Sequence, residues 1–230
     1  MVASDWLSDY THPIIQEKAN RLVIGKTSKL EALKRIFLFV RDEIPLGFPP
    51  NLDSIKASQT ILDYKFGNCT TKATLFNALC KVVDIPTRIH TGLIDLRIME
   101  GIFPPFMFSF MPKTGAHSWI EVEVDGEWKP IDSYINDKAY YESAMNLLLK
   151  DRKTTGYSIS GLNGKSSCEF NFGEIGFMQM GAVVADHGTW QDYSEYMNSD
   201  DYKPLNQILI KFLPILAKIA NNWIEKIRLG

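Results

Sequence analysis

The chain lacks most of the features that would place a sequence in a function class. Its three cysteines, Cys69, Cys80 and Cys168, are unevenly spaced and form no Cys-x-x-Cys pair. Reduced thiols are therefore expected, rather than a disulfide framework or a structural zinc site. A formal net charge of −2 without a basic cluster gives no reason to expect a nucleic-acid partner. No apolar run reaches the roughly 18 residues of a transmembrane segment.

Targeting and linker features are also scarce. Residues 1–6 have neither the basic region nor the apolar region of a secretory signal. No internal repeat or low-complexity stretch divides the 230 residues, and their hydrophobic share of 45% is typical of soluble globular proteins. We therefore expect a single domain over residues 1–230, located in the cytoplasm.

Helical periodicity and capping signals organise much of what is present. Ser28 and Glu31 form a capping-box pattern, in which each side chain satisfies an N–H group at a helix start. Helices are predicted from Pro13, from Ser28 to before Pro45, and over residues 58–63, 70–84, 140–149 and 205–227. The last has its apolar stripe at Ile208, Phe212, Ile215, Ile219, Trp223 and Ile227. Packing of this helix on the domain is favoured, and contact with a membrane or partner is the alternative.

A strand is predicted at residues 87–94, and a hairpin follows further along the chain. Residues 118–124 alternate apolar and polar side chains, and Asp125-Gly126 is a strong two-residue turn into residues 127–132. The segment 103–111, rich in Phe, Pro and Met, is interpreted either as an apolar lid or substrate groove or as a structural loop.

The hairpin places two reactive side chains on one face of the sheet. With a two-residue turn, Val124 faces Glu127 and Trp119 faces Asp132. Side chains alternate along a strand, so His117 shares a face with Trp119 and is a diagonal neighbour of Asp132, about 7–8 Å away between backbones. A carboxylate there can orient the imidazole and stabilise its cation, whereas a slip of one residue would separate the two.

Cys69 lies at the predicted start of an apolar helix. Unsatisfied N–H groups at a helix N-terminus favour a thiolate and can stabilise an oxyanion. His117 would then hold Cys69 as a thiolate and later protonate the leaving group. Gln59 and Asn68 are candidate side-chain donors to the oxyanion, but Gln59 is equally interpreted as a solvated helix residue and Asn68 as an N-cap.

Three motifs in the same order resemble the transglutaminase-like superfamily. Residues 67–69, Gly-Asn-Cys, followed by residues 85–88, Ile-Pro-Thr-Arg, are similar to its Gly-x-Cys helix and its Ile-Pro-Ala-Arg-type strand start. Residues 116–122 resemble its His-Ala-Trp-x-Glu-Val strand, with Ser118 where the family often has Ala. Residues 125–132 resemble its Gly-x-Trp-x-x-x-Asp strand. The resemblance covers about residues 14–136, which leaves 137–230 as a C-terminal extension.

The resemblance implies an α+β, papain-like fold, with N-terminal helices and the nucleophile helix packed on an antiparallel sheet. It gives Cys69, His117 and Asp132 the roles of nucleophile, base and orienting carboxylate, with no metal ion or other cofactor. Family activities include amide hydrolysis, peptide cleavage and amine acyl transfer, and some members are inert scaffolds. The sequence itself has no clustered acidic loop that would indicate a calcium site.

Several residues are weighed against purely structural roles. Cys69 taken alone would more often be a buried structural thiol. His187, beside Asp186, is the rival base and a candidate for the pocket lining, although adjacent residues of an extended strand point to opposite sides. Cys80 and His90 are expected to be structural, Cys168 to have no role, and Trp119 and Trp128 either to wall the cleft or to belong to the core.

The sequence therefore predicts a metal-independent enzyme in which Cys69 attacks a carboxamide or peptide carbonyl and forms a thioester. The expected substrate is a protein, a peptide or a small amide. Hydrolysis is favoured because nothing indicates a site for a second substrate. The alternatives are amine cross-linking of protein glutamines and a non-catalytic binding module that keeps the fold.

Overall fold

A computed structural model describes residues 6–25, 28–51, 54–108, 111–172, 177–205 and 207–230. Eight α-helices lie within these residues. They are α1 (Pro13–Val23), α2 (Lys29–Leu38), α3 (Ala57–Gln59), α4 (Cys69–Val82), α5 (Pro105–Phe108), α6 (Lys138–Lys150), α7 (Tyr193–Met197) and α8 (Gln207–Leu229). Helices α2 and α3 each continue into a π-helical turn, Phe39–Glu43 and Thr60–Tyr64.

Four strands form one antiparallel sheet. They are β1 (Thr87–Asp95), β2 (Thr114–Val124), β3 (Glu127–Ile131) and β4 (Val183–Trp190), in the spatial order β3-β2-β1-β4. Helix α4 packs on β1 and β2, and α1 and α2 pack on α4. Apolar side chains of these helices and of the sheet form a continuous buried core. The predicted α+β class is confirmed.

Local sequence signals account for the ends of these elements. Pro13 begins α1, where its missing N–H costs no hydrogen bond. Ser28 Oγ accepts a hydrogen bond from Glu31 N–H at 3.2 Å and caps α2. Asp125 and Gly126 both have positive φ angles, 53° and 78°, as a type I′ hairpin turn requires. The hairpin therefore has the predicted two-residue loop.

The register of the β2–β3 hairpin is the predicted one. Val124 pairs with Glu127, and Ile120 pairs with Ile131 at the end of β3. Continued by one step, this register sets Asp132 opposite Trp119, as the sequence predicts.

The two faces of the sheet have different neighbours. Helix α4 packs on the face that carries Ile89, Ile120 and Val122, all fully buried. Asn77 of α4 accepts a hydrogen bond from the Thr87 hydroxyl at 2.8 Å on this face. His117, Trp119 and Glu121 alternate with these residues and so belong to the opposite face.

The C-terminal helix is confirmed, but among the residues whose burial is described, Ile227 is the one member of the stripe predicted to pack that is buried. Phe212, Ile215 and Trp223 are exposed. The buried stripe is Ala217, Ala220, Ile224 and Ile227, which lies along the side that faces α6. Small alanines allow two helices to approach closely, so the packed stripe is displaced from the one that the large apolar residues mark.

Two further predictions concern regions outside the sheet. Of the segment 103–111, residues 105–108 form the short helix α5, and 109–110 lie outside the described residues. Among the described residues, no helix has both the length and the apolar character required to cross a bilayer.

Candidate active site

Cys69 is the first residue of α4, and the residues before it form a tight cap. Asn68 Oδ1 accepts a hydrogen bond from Thr71 N–H at 3.0 Å, and Thr71 Oγ1 accepts one from Asn68 N–H at 3.0 Å. Gly67 packs so closely on this turn that a Cβ would lie 2.5 Å from Thr71 Oγ1. Glycine is therefore needed here for close approach, and the Asn68 side chain serves as the N-cap.

The first turn of α4 meets β2 directly after His117. Ser118 Oγ donates a hydrogen bond to Thr70 Oγ1 at 3.1 Å, and Cys69 Sγ lies 3.9 Å from the same Thr70 oxygen. Strand β3 ends opposite Ile120, so it does not pair with the part of β2 that precedes Ile120. The start of α4 contacts β2 in that unpaired part. The residues that follow the thiol and the imidazole are thus in contact.

His117 is almost completely buried, with 1% of its surface exposed. Burial lowers the pKa of its imidazole to about 3, because a cation inside the protein loses its hydration. Its ring lies 5.7 Å from the ring of Trp119. Among the described residues, Nε2 of His117 has no hydrogen-bond partner, so this nitrogen does not donate to Asp132.

Asp132 is fully buried directly after the end of β3. Its Oδ1 accepts a hydrogen bond from Met178 N–H at 2.7 Å, and its Oδ2 accepts one from Gln179 N–H at 2.6 Å. Burial raises the pKa of this carboxyl to about 7, although the backbone N–H groups act in the opposite direction. Residues beyond the predicted core therefore fix the orientation of the carboxylate.

Tyr134 and Lys72 lie close to these residues and are not predicted from the sequence. The Tyr134 phenol is buried, and its pKa is raised well above 10 by burial and by the charges of Asp132 and Cys69. Lys72, one turn after Cys69, is fully buried and donates to the carbonyl oxygen of Ile135 at 2.8 Å. Burial lowers its pKa to about 7. Neither residue carries a motif, because a buried Tyr or Lys is not distinguished by local sequence.

The predicted oxyanion donors have local hydrogen bonds of their own. Gln59 Oε1 accepts a hydrogen bond from Lys56 N–H at 3.0 Å and caps α3. The Asn68 carboxamide oxygen is used in the cap of α4. An oxyanion role for either side chain would therefore depend on its NH₂ group.

The two tryptophans occupy different environments. Trp119 is buried, with 2% exposed, and its ring stacks on His90 at 4.2 Å. Trp128 is 38% exposed and lies under the guanidinium of Arg88 at 4.2 Å. The Trp119 ring therefore belongs to the packing around His117 rather than to an exposed wall.

The rival base lies on β4, at the far edge of the sheet from β3. His187 Nδ1 is 3.0 Å from the Tyr196 hydroxyl, whereas the adjacent Asp186 binds His90 Nε2 at 2.7 Å. The two residues thus engage different partners, as expected for neighbours in a strand. His187 is separated from the strand of His117 by β1.

The three cysteines are not equivalent. Cys69 is half-buried, whereas Cys80 and Cys168 are buried. Burial raises the pKa of the Cys80 thiol strongly and that of the Cys168 thiol to about 11. Both buried thiols are therefore poor nucleophiles at neutral pH.

Comparison with known proteins gives one family and three solved chains. No curated protein matches the chain. One of the solved chains is a "putative cysteine protease" from Cytophaga hutchinsonii, with 16% identity and a TM-score of 0.46. The alignment covers 82% of this chain and 44% of that one, so this chain spans less than half of that protein's length. A family model described as the transglutaminase-like superfamily matches residues 16–133, just over half of the chain. The matched residues include Cys69, His117 and Asp132, and the chain belongs to the transglutaminase-like superfamily.

Proposed function

We propose that the chain is a cysteine-dependent acyl-transfer enzyme that hydrolyses an amide or peptide bond. The observation that carries this proposal is the Ser118–Thr70 hydrogen bond of 3.1 Å, which joins the start of the Cys69 helix to the strand of His117. The exposure of Cys69, in contrast to that of the other two cysteines, supports the same nucleophile.

The reaction divides into two acyl transfers. Cys69 Sγ attacks the substrate carbonyl carbon while His117 accepts the thiol proton. The carbon–nitrogen bond then breaks, His117 returns the proton to the departing nitrogen, and ammonia or an amine leaves a thioester on Cys69. Water attacks the thioester with His117 again as base, and the carboxylic acid and the thiol are regenerated.

The charge states of the buried groups set a condition on these proton transfers. An imidazole whose pKa is about 3 is neutral at pH 7, but so low a pKa also makes it a weak base. It can accept the thiol proton only where its cation is stabilised during the reaction. The imidazolium that forms is buried and needs a nearby negative charge. Asp132 has lone pairs that remain after its two backbone hydrogen bonds. A turn of the ring that brings Nε2–H to Asp132 would supply that charge.

One observation favours a second candidate, a non-catalytic binding module that keeps the fold. Nε2 of His117 is buried without a hydrogen-bond partner among the described residues, whereas a working base is held by its orienting carboxylate. The two candidates differ in the reactivity that they predict for Cys69.

Alkylation of the three thiols separates these candidates. The rate of modification by iodoacetamide is measured between pH 5 and 9 by intact mass and peptide mapping. We expect Cys69 to react at least about tenfold faster than Cys168 at pH 6 to 7. His117→Ala should lower the rate at Cys69 about tenfold or more, whereas His187→Ala is the matched control that should leave it unchanged. Cys69 is also more exposed than Cys168, so the decisive comparison is the rate at Cys69 in the wild type and in His117→Ala. Equal rates at Cys69 in these two proteins would contradict an enzyme and leave the binding module.

Water and amine transfer are distinguished once a substrate reacts. Hydrolysis releases the free acid from a glutamine-containing peptide, and this product should persist when a primary amine is added. A product that carries the amine in place of the acid would instead indicate cross-linking.

A further inference from the structure

A series of hydrogen bonds joins residues 45–48 to the segment immediately before Cys69. Gly47 N–H donates to Gly67 O, and Gly67 N–H donates to Pro45 O, each at 3.0 Å. Leu46 and Gly67 thus form a parallel bridge, and Gly67 is two residues from the thiol. Any displacement of residues 45–48 therefore passes to the cap of the Cys69 helix.

The other side of residues 45–48 is held by α8 and by the start of α6. Asn221 Oδ1 accepts a hydrogen bond from Phe48 N–H at 2.7 Å, and Asn221 Nδ2 donates to Phe48 O at 2.9 Å. Arg228 donates to Leu46 O at 2.9 Å, and Asp137 accepts from Leu46 N–H at 3.0 Å. The Asn221 carboxamide thus pairs with Phe48 as a neighbouring strand would.

Arg228 and Asp137 also form an ion pair at 2.9 Å, with only 17% and 6% of their side chains exposed. Removal of one member would leave a buried charge and is expected to unfold the region. Asn221 is neutral and half-buried, so its substitution tests the same connection without that penalty.

We propose that α8 positions Cys69, and that Asn221 is a positioning residue for the nucleophile. The helix lies outside residues 16–133 that match the family, yet its hydrogen bonds reach a segment paired with Gly67. Without Asn221, the N–H and C=O of Phe48 lose these partners, and on the side of α8 and α6 the described hydrogen bonds to residues 45–48 are those of Leu46. A displacement of about 1 Å at a reacting group can lower a rate about 10²-fold.

Hydrogen exchange tests the connection independently of catalysis, although the role given to Cys69 rests on the proposed function. Asn221→Leu removes both hydrogen bonds at similar volume, and Asn221→Asp keeps only the acceptor. Asn222→Leu, at the exposed neighbouring position, is the matched control. We expect amide exchange at Gly47, Phe48 and Gly67 to be fastest in Asn221→Leu, intermediate in Asn221→Asp, and as in wild type in the control. Unchanged exchange in folded Asn221→Leu would overturn the proposal.

The alkylation rate tests whether the connection reaches the thiol. In Asn221→Leu the iodoacetamide rate of Cys69 at pH 7 should fall about tenfold or more, with partial recovery in Asn221→Asp and wild-type rates in the control. With a substrate in hand, kcat should fall while KM stays the same. Faster exchange with a wild-type alkylation rate would overturn the positioning role. An unreactive Cys69 in the wild-type chain would overturn the proposed function instead, and the exchange result would still decide whether α8 holds the loop.

Discussion

Two histidines lie on the same face of the sheet, and the rings of both lie close to the ring of Trp119. His90 stacks on that ring at 4.2 Å, and His117 lies 5.7 Å from it. His90 binds Glu121 through Nδ1 and Asp186 through Nε2, each at 2.7 Å. His117 has no partner at Nε2 among the described residues. One residue type on adjacent strands is thus given opposite surroundings.

The surroundings decide the charge of each ring. Burial opposes the cation at His90, but hydrogen bonds to Glu121 and Asp186 outweigh it and raise the pKa. At His117 burial acts alone, and the pKa falls to about 3. A cation held by two carboxylates stabilises the sheet and gives up its proton reluctantly. His117 is neutral at pH 7, but its low pKa makes it a weak base until a nearby negative charge stabilises its cation. The comparison therefore separates a histidine held as a cation by two carboxylates from one whose proposed role depends on Asp132.

The largest predicted effect on the alkylation rate of Cys69 comes from replacing the carboxylate of Asp132 by an amide. Asp132→Asn replaces one acceptor by an NH₂ group that faces the backbone N–H of Met178 or Gln179. It also removes the charge proposed to stabilise the His117 cation. We expect the iodoacetamide rate of Cys69 at pH 7 to fall about tenfold or more, since each unit of pKa changes the equilibrium tenfold.

Asp186→Asn is the control for that substitution, because its side chain is 67% exposed. It should change the alkylation rate of Cys69 less than about twofold and the free energy of unfolding by less than about 1 kcal/mol. If the two substitutions lowered the rate equally, the role proposed for Asp132 would be wrong.

The pH dependence of stability should have opposite signs for the two histidines. His117 has a folded pKa far below its ordinary 6.5, so its contribution is present above pH 6.5 and is lost as pH falls towards 3. The loss approaches about 1.4 kcal/mol per pH unit. His90 has a raised folded pKa, so its contribution is present below pH 6.5 and is lost as pH rises through the folded value.

Chemical denaturation between pH 5 and 8 measures both effects. The difference in unfolding free energy between the wild type and His117→Gln should decrease as pH falls, whereas that between the wild type and His90→Gln should increase. Glu121 and Asp186, whose pKa values are lowered, stay ionised over this range and do not reverse the sign. Two slopes of the same sign would remove the distinction between the rings.

Local rules were sufficient for the parts of this site that lie close together in sequence. The parity of His117 and Asp132 follows from a two-residue turn, and the N-cap of α4 is one of the two roles that the sequence predicts for Asn68. These are short-range interactions with a fixed period or geometry. Prediction of the hairpin register was therefore accurate.

Contacts between distant segments had no such signal. The N–H groups of Met178 and Gln179 that bind Asp132 belong to the backbone, and any residue type provides them. The buried stripe of α8 uses Ala217 and Ala220, whose short side chains contribute little to an apolar pattern. Asn221 pairs with Phe48 across 173 positions. Tertiary packing decides each of these contacts, so the sequence alone could not predict them.

The smallest predicted effect concerns Ser118, on the face opposite to His117. Among the described residues, its hydroxyl makes one hydrogen bond, to Thr70 Oγ1 at 3.1 Å. Ser118→Ala should lower the free energy of unfolding by about 1 kcal/mol, which is a fall of about 2–4 °C in Tm for a chain of this size. The alkylation rate of Cys69 should change less than about threefold, because the imidazole is not contacted.

Ser118→Val tests the same position in the other direction. A branched side chain would separate the first turn of α4 from β2, because the two hydroxyl groups are already in contact. We therefore expect the alkylation rate of Cys69 to fall more in Ser118→Val than in Ser118→Ala. The reverse order would mean that the hydroxyl group itself, and not the close approach of the helix to the strand, sustains the reactivity of the thiol.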